Sequence, residues 1–468
     1  FSSAISTTYS FLPTSMARAG VYLLPIIAWL IFKILDKNDF TPYPCTLLNL
    51  KCPMPIASGF VVPDYAKLKS LFEDNFAKGD DVGATVAVYV DGELKVNLAG
   101  GYSDRESGKP YTTDTLQKVF SCTKVMTSII VARLVAQGRL SYSEKVSTYW
   151  PEFAQGNKHD VTIKDLMEHS GGVSWIDEPV SIDHFKDMDS FAEFLAKQPH
   201  NFNGNKTRAY HAHTRGWYLN EIVRRVDPQH RTIGQIVSQE INEPYGVEWY
   251  YNPESSLDDR ISKPYHTSFF RLIKRWSTPK WLYTVAEPLP EVFTMINDKT
   301  TPMYKSLITT GADKRDIIRQ QELIVRRYES PSTNGHTNAR SVGCNFLHII
   351  AKIASIMANR GQPTAADEPA LLPEQTYELA TTVDLFEFDV VLRQSVPLTI
   401  GGFGQFEVAN TTFTGWVGAG GSGFWWNEEL KIGFGYCMNS FRWTLGLDRR
   451  ALKLIETVIE VVKKEKGL

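Results

Sequence analysis

Ser121-Cys122-Thr123-Lys124 runs directly into Val125-Met126-Thr127-Ser128-Ile129-Ile130-Val131-Ala132-Arg133-Leu134-Val135-Ala136-Gln137-Gly138. The second stretch is apolar on almost every side, which predicts a central, buried helix rather than an amphipathic surface one. Gly138 supplies its C-terminal stop. On a helix, a serine and a lysine at i and i+3 share a face, so their polar tips come within hydrogen-bond reach. A lysine in a dry site loses basicity and can take the serine's proton. The stretch therefore reads as a nucleophile with its base. It reads also as an N-cap serine beside a solvated lysine, so partners elsewhere in the chain must decide.

The same spacing recurs at Ser277-Thr278-Pro279-Lys280. There a proline precedes the lysine and no apolar helix follows, so that copy reads as loop. The G-x-S-x-G elbow of other serine hydrolases is absent around Ser121.

The bulk numbers exclude some functions. The formal net charge is −2; with no basic block in the chain, nucleic acid is not an expected partner. Hydrophobic residues make up 43% and charged residues 22% of 468 positions, values of a large globular domain or two intimate ones. Cys45, Cys52, Cys122, Cys344 and Cys437 are too scattered for a disulfide framework; Cys45 and Cys52 either pair or stand idle. No Cys/His cluster has zinc-site spacing. Ala19 to Phe32 is uncharged and is flanked by Arg18 and Lys33. Residues 19–35 accordingly read as a targeting or membrane-anchoring segment, with a buried or surface-lying helix as the alternative.

Residues 36–63 are punctuated by prolines and read as a linker. A helix is expected over 64–78. Ala84 to Val90 reads as a strand, Asp91-Gly92 as a hairpin turn, and Glu93 to Gly100 as the returning strand. From about 139 to 330 the pattern is helical and irregular. Val342 to Asn359 predicts a further helix, residues 431–438 a final strand, and Leu445 to Lys464 an amphipathic closing helix. The expected fold class is α+β, an α/β sandwich. A central antiparallel sheet is built from both chain ends and flanked by helices, with a mostly helical region inserted. Residues 1–63 precede the folded domain, which spans 64–465.

Two further features bear on Ser121. Tyr210 lies in Arg208-Ala209-Tyr210-His211-Ala212-His213-Thr214-Arg215-Gly216-Trp217. A tyrosine near the lysine can relay or accept the serine proton, because a cation lowers a phenol's pKa. Gly415-Trp416-Val417-Gly418-Ala419-Gly420-Gly421-Ser422-Gly423 is glycine-dense. It reads as a plain turn, or as an edge strand beside Ser121 offering a backbone N–H to an oxyanion.

These pieces, in this order, resemble the serine β-lactamase and penicillin-binding-protein superfamily. Within it the chain looks most like the class C-like, β-lactamase-related esterases known as family VIII carboxylesterases. The resemblance covers roughly residues 65–465. Residues 82–92, 165–173, 332–335 and 339–340 also match the family's first hairpin, its L-L-x-H-x-S-G-L segment and the loop before its next helix. The resemblance implies a β-lactamase/transpeptidase-like fold and assigns roles. Ser121 is the nucleophile, Lys124 assists as base, and Tyr210 shares the proton work. Trp416-Val417-Gly418 stands where β-lactamases carry K-T-G, so Trp416 and Gly418 meet the substrate. The oxyanion hole uses the N–H groups of Ser121 and Ala419. No metal or organic cofactor is implied.

Two departures point to the substrate. Ala212 replaces the asparagine of the β-lactamase Y-x-N motif, and Trp416 replaces the lysine of K-T-G. Both changes remove polar anchors for a carboxylated β-lactam and leave the serine chemistry intact. An apolar, aromatic pocket favours a neutral ester. The expected activity is hydrolysis, or acyl transfer, of small carboxylic esters through an acyl-enzyme. The alternatives are a β-lactamase or D-peptidase, and a non-catalytic membrane-anchored relative. Cys122, His211, His213 and His336 are expected to pack or hydrogen bond rather than catalyse. Residues 245–330 carry no readable motif.

Overall fold

The computed structural model describes residues 57–266, 295–307, 326–338 and 349–468, apart from residues 179, 296 and 443–445. The apolar segment 19–35, Cys45 and Cys52, the second S-x-x-K at Ser277, and residues 339–348 lie outside the described residues.

The strands of interest are β1 (Ser58–Val61), β2 (Gly83–Val90), β3 (Glu93–Asp104), β4 (Gln117–Lys118), β5 (Trp249–Tyr250), β6 (His336–Thr337), β7 (Val383–Leu385), β8 (Leu398–Thr399), β9 (Gly404–Val408), β10 (Thr411–Val417), β11 (Gly423–Asn427) and β12 (Ile432–Met438). The main sheet runs in the order β1-β3-β2-β12-β11-β10-β9-β8-β7, and a small second sheet in the order β4-β6-β5. Neighbours in the main sheet are antiparallel throughout. The two chain ends meet where β2 pairs β12, with Val88 opposite Phe434. This is the expected antiparallel sheet built from both termini.

The helices are α1 (Ala66–Ala77), α2 (Thr123–Ala136), α3 (Ile163–Met167), α4 (Met188–Lys197), α5 (Thr214–Val226), α6 (Pro302–Leu307), α7 (Ile349–Ala358), α8 (Glu374–Thr381) and α9 (Arg449–Lys466). Leu68, Phe72 and Phe76 of α1 pack with Leu454, Ile455 and Val458 of α9 on one face of the sheet. On the other face, α2, α5 and α7 share one core with the turns and helices that follow α2. Among the described residues between 139 and 330, no strand joins the main sheet.

Local sequence explains the layering. Along β12, Ile432, Phe434, Tyr436 and Met438 point toward α1 and α9. The alternate positions Gly433 and Gly435 present no side chain, and α7 sits directly on them. A Cβ on Gly433 would come within 2.6 Å of the Ala351 carbonyl, so the period-2 alternation of bulky and absent side chains sets the helix-to-sheet distance. The β2–β3 turn has Asp91 at φ 49° and Gly92 at φ 81°. That left-handed pair is what a two-residue hairpin needs.

α2 is buried as predicted, with Thr123 to Ala132 all inaccessible. Sealing Ile129, Ile130, Val131 and Leu134 from water contributes about 1.5–3 kcal/mol apiece. Gly138 follows at φ 70° and turns the chain out of the helix. The linker expectation fails at its C-terminal end. Ser58–Val61 is a strand, with Phe60 opposite Asn97 of β3. Short length and flanking prolines hid it, and pairing covers an edge of the hairpin that would otherwise be open.

Candidate active site

The chain enters α2 through a tight turn, Phe120–Cys122. Phe120 sits at φ 47°, a left-handed conformation that costs a non-glycine residue roughly 1 kcal/mol or more. Strain of this kind beside Ser121 is a mark of a site held in place by its surroundings. Ser121 itself remains partly accessible, whereas Lys124 is buried.

Tyr210 Oη lies 2.8 Å from Ser121 Oγ and donates to it. Lys124 Nζ donates to the Ala212 carbonyl at 2.8 Å and the Ser332 carbonyl at 3.0 Å. It also lies 4.8 Å from the centre of the Tyr210 ring. The predicted trio therefore converges, but the hydrogen bond to Ser121 comes from the tyrosine while the lysine is held by two carbonyls. Burial, reinforced by the nearby Arg215 guanidinium, holds the Lys124 amine well below its usual basicity. A neutral amine has two N–H bonds and one lone pair. Both donors are occupied, so the lone pair is what remains to accept a proton.

One expectation is corrected. Tyr210 is not acidified by its lysine neighbour; burial pushes its phenol up to about 12, against smaller opposing effects from Ser121, Trp416 and Arg215. The lysine is held well below its usual basicity, and desolvation of the phenol is the largest effect on Tyr210.

The segment carrying Tyr210 is fixed group by group. The Tyr210 N–H donates to Asp389 Oδ1 at 3.1 Å, and its carbonyl accepts from Ser174 Oγ at 2.8 Å and Ser306 Oγ at 2.7 Å. Ala212 N–H donates to Ser306 Oγ at 3.3 Å. The His211 N–H donates to His169 Nδ1 at 3.1 Å, and the His169 ring meets Tyr210 edge-on with centroids 4.6 Å apart. Asp389 also accepts from the N–H groups of Val391 and Leu392 at 2.8 Å. Ser306 and Asp389 were not found from the sequence. Ser306 comes from the stretch that carries no motif, and Asp389 stands in none of the matched segments.

His211 bonds the Ala209 carbonyl through Nδ1 at 2.7 Å and accepts from Val173 N–H at 3.3 Å. Burial drives it down to about 3. It is a neutral structural group, as expected. His213 and His336 are likewise buried and driven down to about 3.

The glycine stretch is resolved as strand and loop. β10 lies inside the sheet between β9 and β11, so it is not an edge strand. What approaches Ser121 is the loop after it. Cys122 Sγ points at the Trp416 carbonyl at 3.5 Å and the Ser422 carbonyl at 3.4 Å, and a Cβ on Gly418 would strike the Val119 carbonyl. The loop closes through Gly418 N–H to Ser422 O at 2.8 Å and Gly421 N–H to Gly418 O at 3.0 Å. These bonds leave out Ala419, whose residue is exposed. The Ser121 N–H belongs to the tight turn Phe120–Cys122 that leads into α2. Trp416 stacks on Tyr210, with centroids 5.8 Å apart and planes 15° from parallel. Ala212 is 3% exposed, and its side chain brings no polar group to the site. Among the described residues no cluster of His, Cys, Asp or Glu has the form of a metal site, and no helix is long and apolar enough to cross a membrane.

An antiparallel sheet covered on both faces, with a serine at the start of its central helix, a buried lysine one turn on and a tyrosine bonded to the serine, defines a β-lactamase/transpeptidase-type fold. The family model described as Beta-lactamase matches residues 68–457, and the chain belongs to that family. The Esterase/beta-lactamase LipL of Mycobacterium tuberculosis is 30% identical over 207 residues, 44% of this chain and 47% of that protein. The chain thus spans about half the length of that curated relative. A family VIII carboxylesterase structure superposes with TM-score 0.72 and 26% identity over 86% of this chain and 99% of the other. A penicillin-binding-protein homologue from Caulobacter crescentus gives TM-score 0.69 and 28% identity over the same shares, 86% and 99%.

Proposed function

We propose that the chain is a serine hydrolase that cleaves small carboxylic esters through an acyl-enzyme on Ser121, with acyl transfer to an alcohol as a second outcome. The observation that carries this is the 2.8 Å bond from Tyr210 to Ser121 beside a lysine whose two amine hydrogens are already committed to carbonyls. As Ser121 Oγ bonds to the ester carbonyl carbon, its proton passes to the Lys124 lone pair and the carbonyl electrons move onto oxygen. In this reading the N–H groups of Ser121 and Ala419 receive that oxyanion. Collapse expels the alcohol. A phenol near pKa 12 holds a proton to donate, which suits Tyr210 to protonate the leaving alkoxide while the protonated Lys124 returns a proton to the tyrosine, so that both groups are reset. Water then repeats the sequence to release the acid.

Ala212 and Trp416 support esters over β-lactams, since neither supplies a polar or cationic anchor. The similarity to LipL and to the family VIII carboxylesterase structure supports the same reading. Purified protein should hydrolyse p-nitrophenyl butyrate, and Ser121→Ala and Lys124→Ala should each abolish turnover. Wild-type rates in Ser121→Ala would refute the assignment. Rapid turnover of nitrocefin would favour the β-lactamase alternative. A folded sample that fails to react with a fluorophosphonate probe would favour a non-catalytic role.

A further inference from the structure

Among the described residues, Lys118 is a cation without a counter-ion. It lies half-buried on β4, just ahead of Ser121. Among the described residues neither a carboxylate nor a hydrogen-bond acceptor meets its Nζ; the ammonium rests 5.3 Å over the Phe120 ring. Phe120 packs edge-on against Phe441, with centroids 5.4 Å apart. Phe441 in turn presses on Gly420, where a Cβ would fall 2.8 Å from its Cδ2. The ammonium, the two rings and the loop carrying Ala419 are therefore continuous beside Ser121. His213, next to Ala212, feels the charge of both Lys124 and Lys118.

The surroundings of Lys118 are short of negative charge. Its cross-strand partner is His336, which is buried and neutral. Arg326 is close enough to disfavour the ammonium further. Asp258 is shared by Arg326, at 3.5 Å, and Arg327. Asp80, Asp81 and Asp448, on the Phe441 side, are taken by Arg442 and Arg450. Burial and Arg326 push Lys118 down to about 8, so most of it is still charged at neutral pH. Enclosing a charge without a partner is costly, and an arriving anion would offset that cost.

We propose that Lys118 receives a carboxylate carried by the substrate, so that the preferred esters are half-esters of dicarboxylic acids. The proposal rests on the ester-hydrolase reading and narrows its substrate class. One unpaired ammonium matches a monoanion, which favours a carboxylate over a phosphate dianion. The anionic group of the substrate is thus held from the strand that leads into α2, and not from the position of Trp416.

Mono-p-nitrophenyl glutarate and p-nitrophenyl pentanoate, matched in chain length, test this. The ratio of their kcat/KM values should be about tenfold higher in the wild type than in Lys118→Met, with Lys118→Arg between them. Equal ratios in wild type and Lys118→Met would overturn the proposal. A binding measurement separates it from the ester-hydrolase reading. Calorimetric affinity for monomethyl glutarate in the Ser121→Ala protein should fall about tenfold when Lys118→Met is added. Unchanged affinity overturns the proposal, whatever the turnover assays show. Absence of turnover of both esters by the wild type would count against the hydrolase reading alone.

Discussion

Tyr210 donates a 2.8 Å hydrogen bond to Ser121, although the two residues come from different segments and Tyr210 stands on no helix or strand. The bond exists because Asp389, Ser174 and Ser306 fix the tyrosine's backbone, while α2 fixes the serine. In the proposed mechanism this phenol returns the proton to the leaving group. Tyr210→Phe should therefore lower kcat/KM for an alkyl ester such as ethyl butyrate by about 100- to 10,000-fold. The loss should shrink when the leaving group is a better one, such as p-nitrophenol. Steady-state kinetics over a leaving-group series checks this.

Lys124 predicts the pH dependence. Its folded pKa lies well below 10.5, and the proposed base is the neutral amine. Activity should fall as pH drops through the folded pKa, along a limb of one proton. Stability follows the same group. Below the folded pKa both states carry the proton; between it and 10.5 the unfolded chain binds the extra one. Stability contributed by Lys124 therefore rises with pH across that window. Lys124→Met should flatten the difference in denaturation midpoint between about pH 7 and 9. Urea titrations of both proteins measure it.

Ser306 bonds the Tyr210 carbonyl and the Ala212 N–H at once. Ala212 in turn supplies a carbonyl to Lys124. Ser306→Ala should cost about 1–2 kcal/mol of stability. It should also lower kcat more than it raises KM, because it loosens the residues that move protons rather than the pocket. Circular dichroism melts and initial rates separate the two effects.

Gly433 tests the layering. A side chain there would meet the backbone of α7, with the Ala351 carbonyl 2.6 Å from the added Cβ. Gly433→Val should destabilise by about 1–3 kcal/mol or force α7 off the sheet. The check is the urea midpoint, with exposed-surface dye binding to report a displaced helix.

The fold was legible where period and punctuation agree. The Asp91-Gly92 turn, the bulky-glycine alternation of β12 and the all-round apolar α2 each name their element without tertiary help. β1 escaped because four residues between prolines leave too short a pattern to separate from linker. In the candidate site, Ser121 and Lys124 are suggested by their spacing at the head of an apolar run, and Tyr210 by the family resemblance. Ser306 and Asp389 could not be read in either way. They act by bonding someone else's backbone, and only the closed fold says whose. The tyrosine's acidity was misjudged for a related reason. Sequence showed a neighbouring lysine, whereas burial lowers that lysine's basicity and raises the phenol's pKa.

The most direct measurement is the mass of the intact protein during turnover. Rapid quenching after mixing with p-nitrophenyl butyrate should show a butyryl adduct, and peptide mapping should place it on Ser121. The adduct should be absent in Ser121→Ala and should accumulate more slowly in Tyr210→Phe. An adduct on another residue, or wild-type turnover with none on Ser121, would contradict the account.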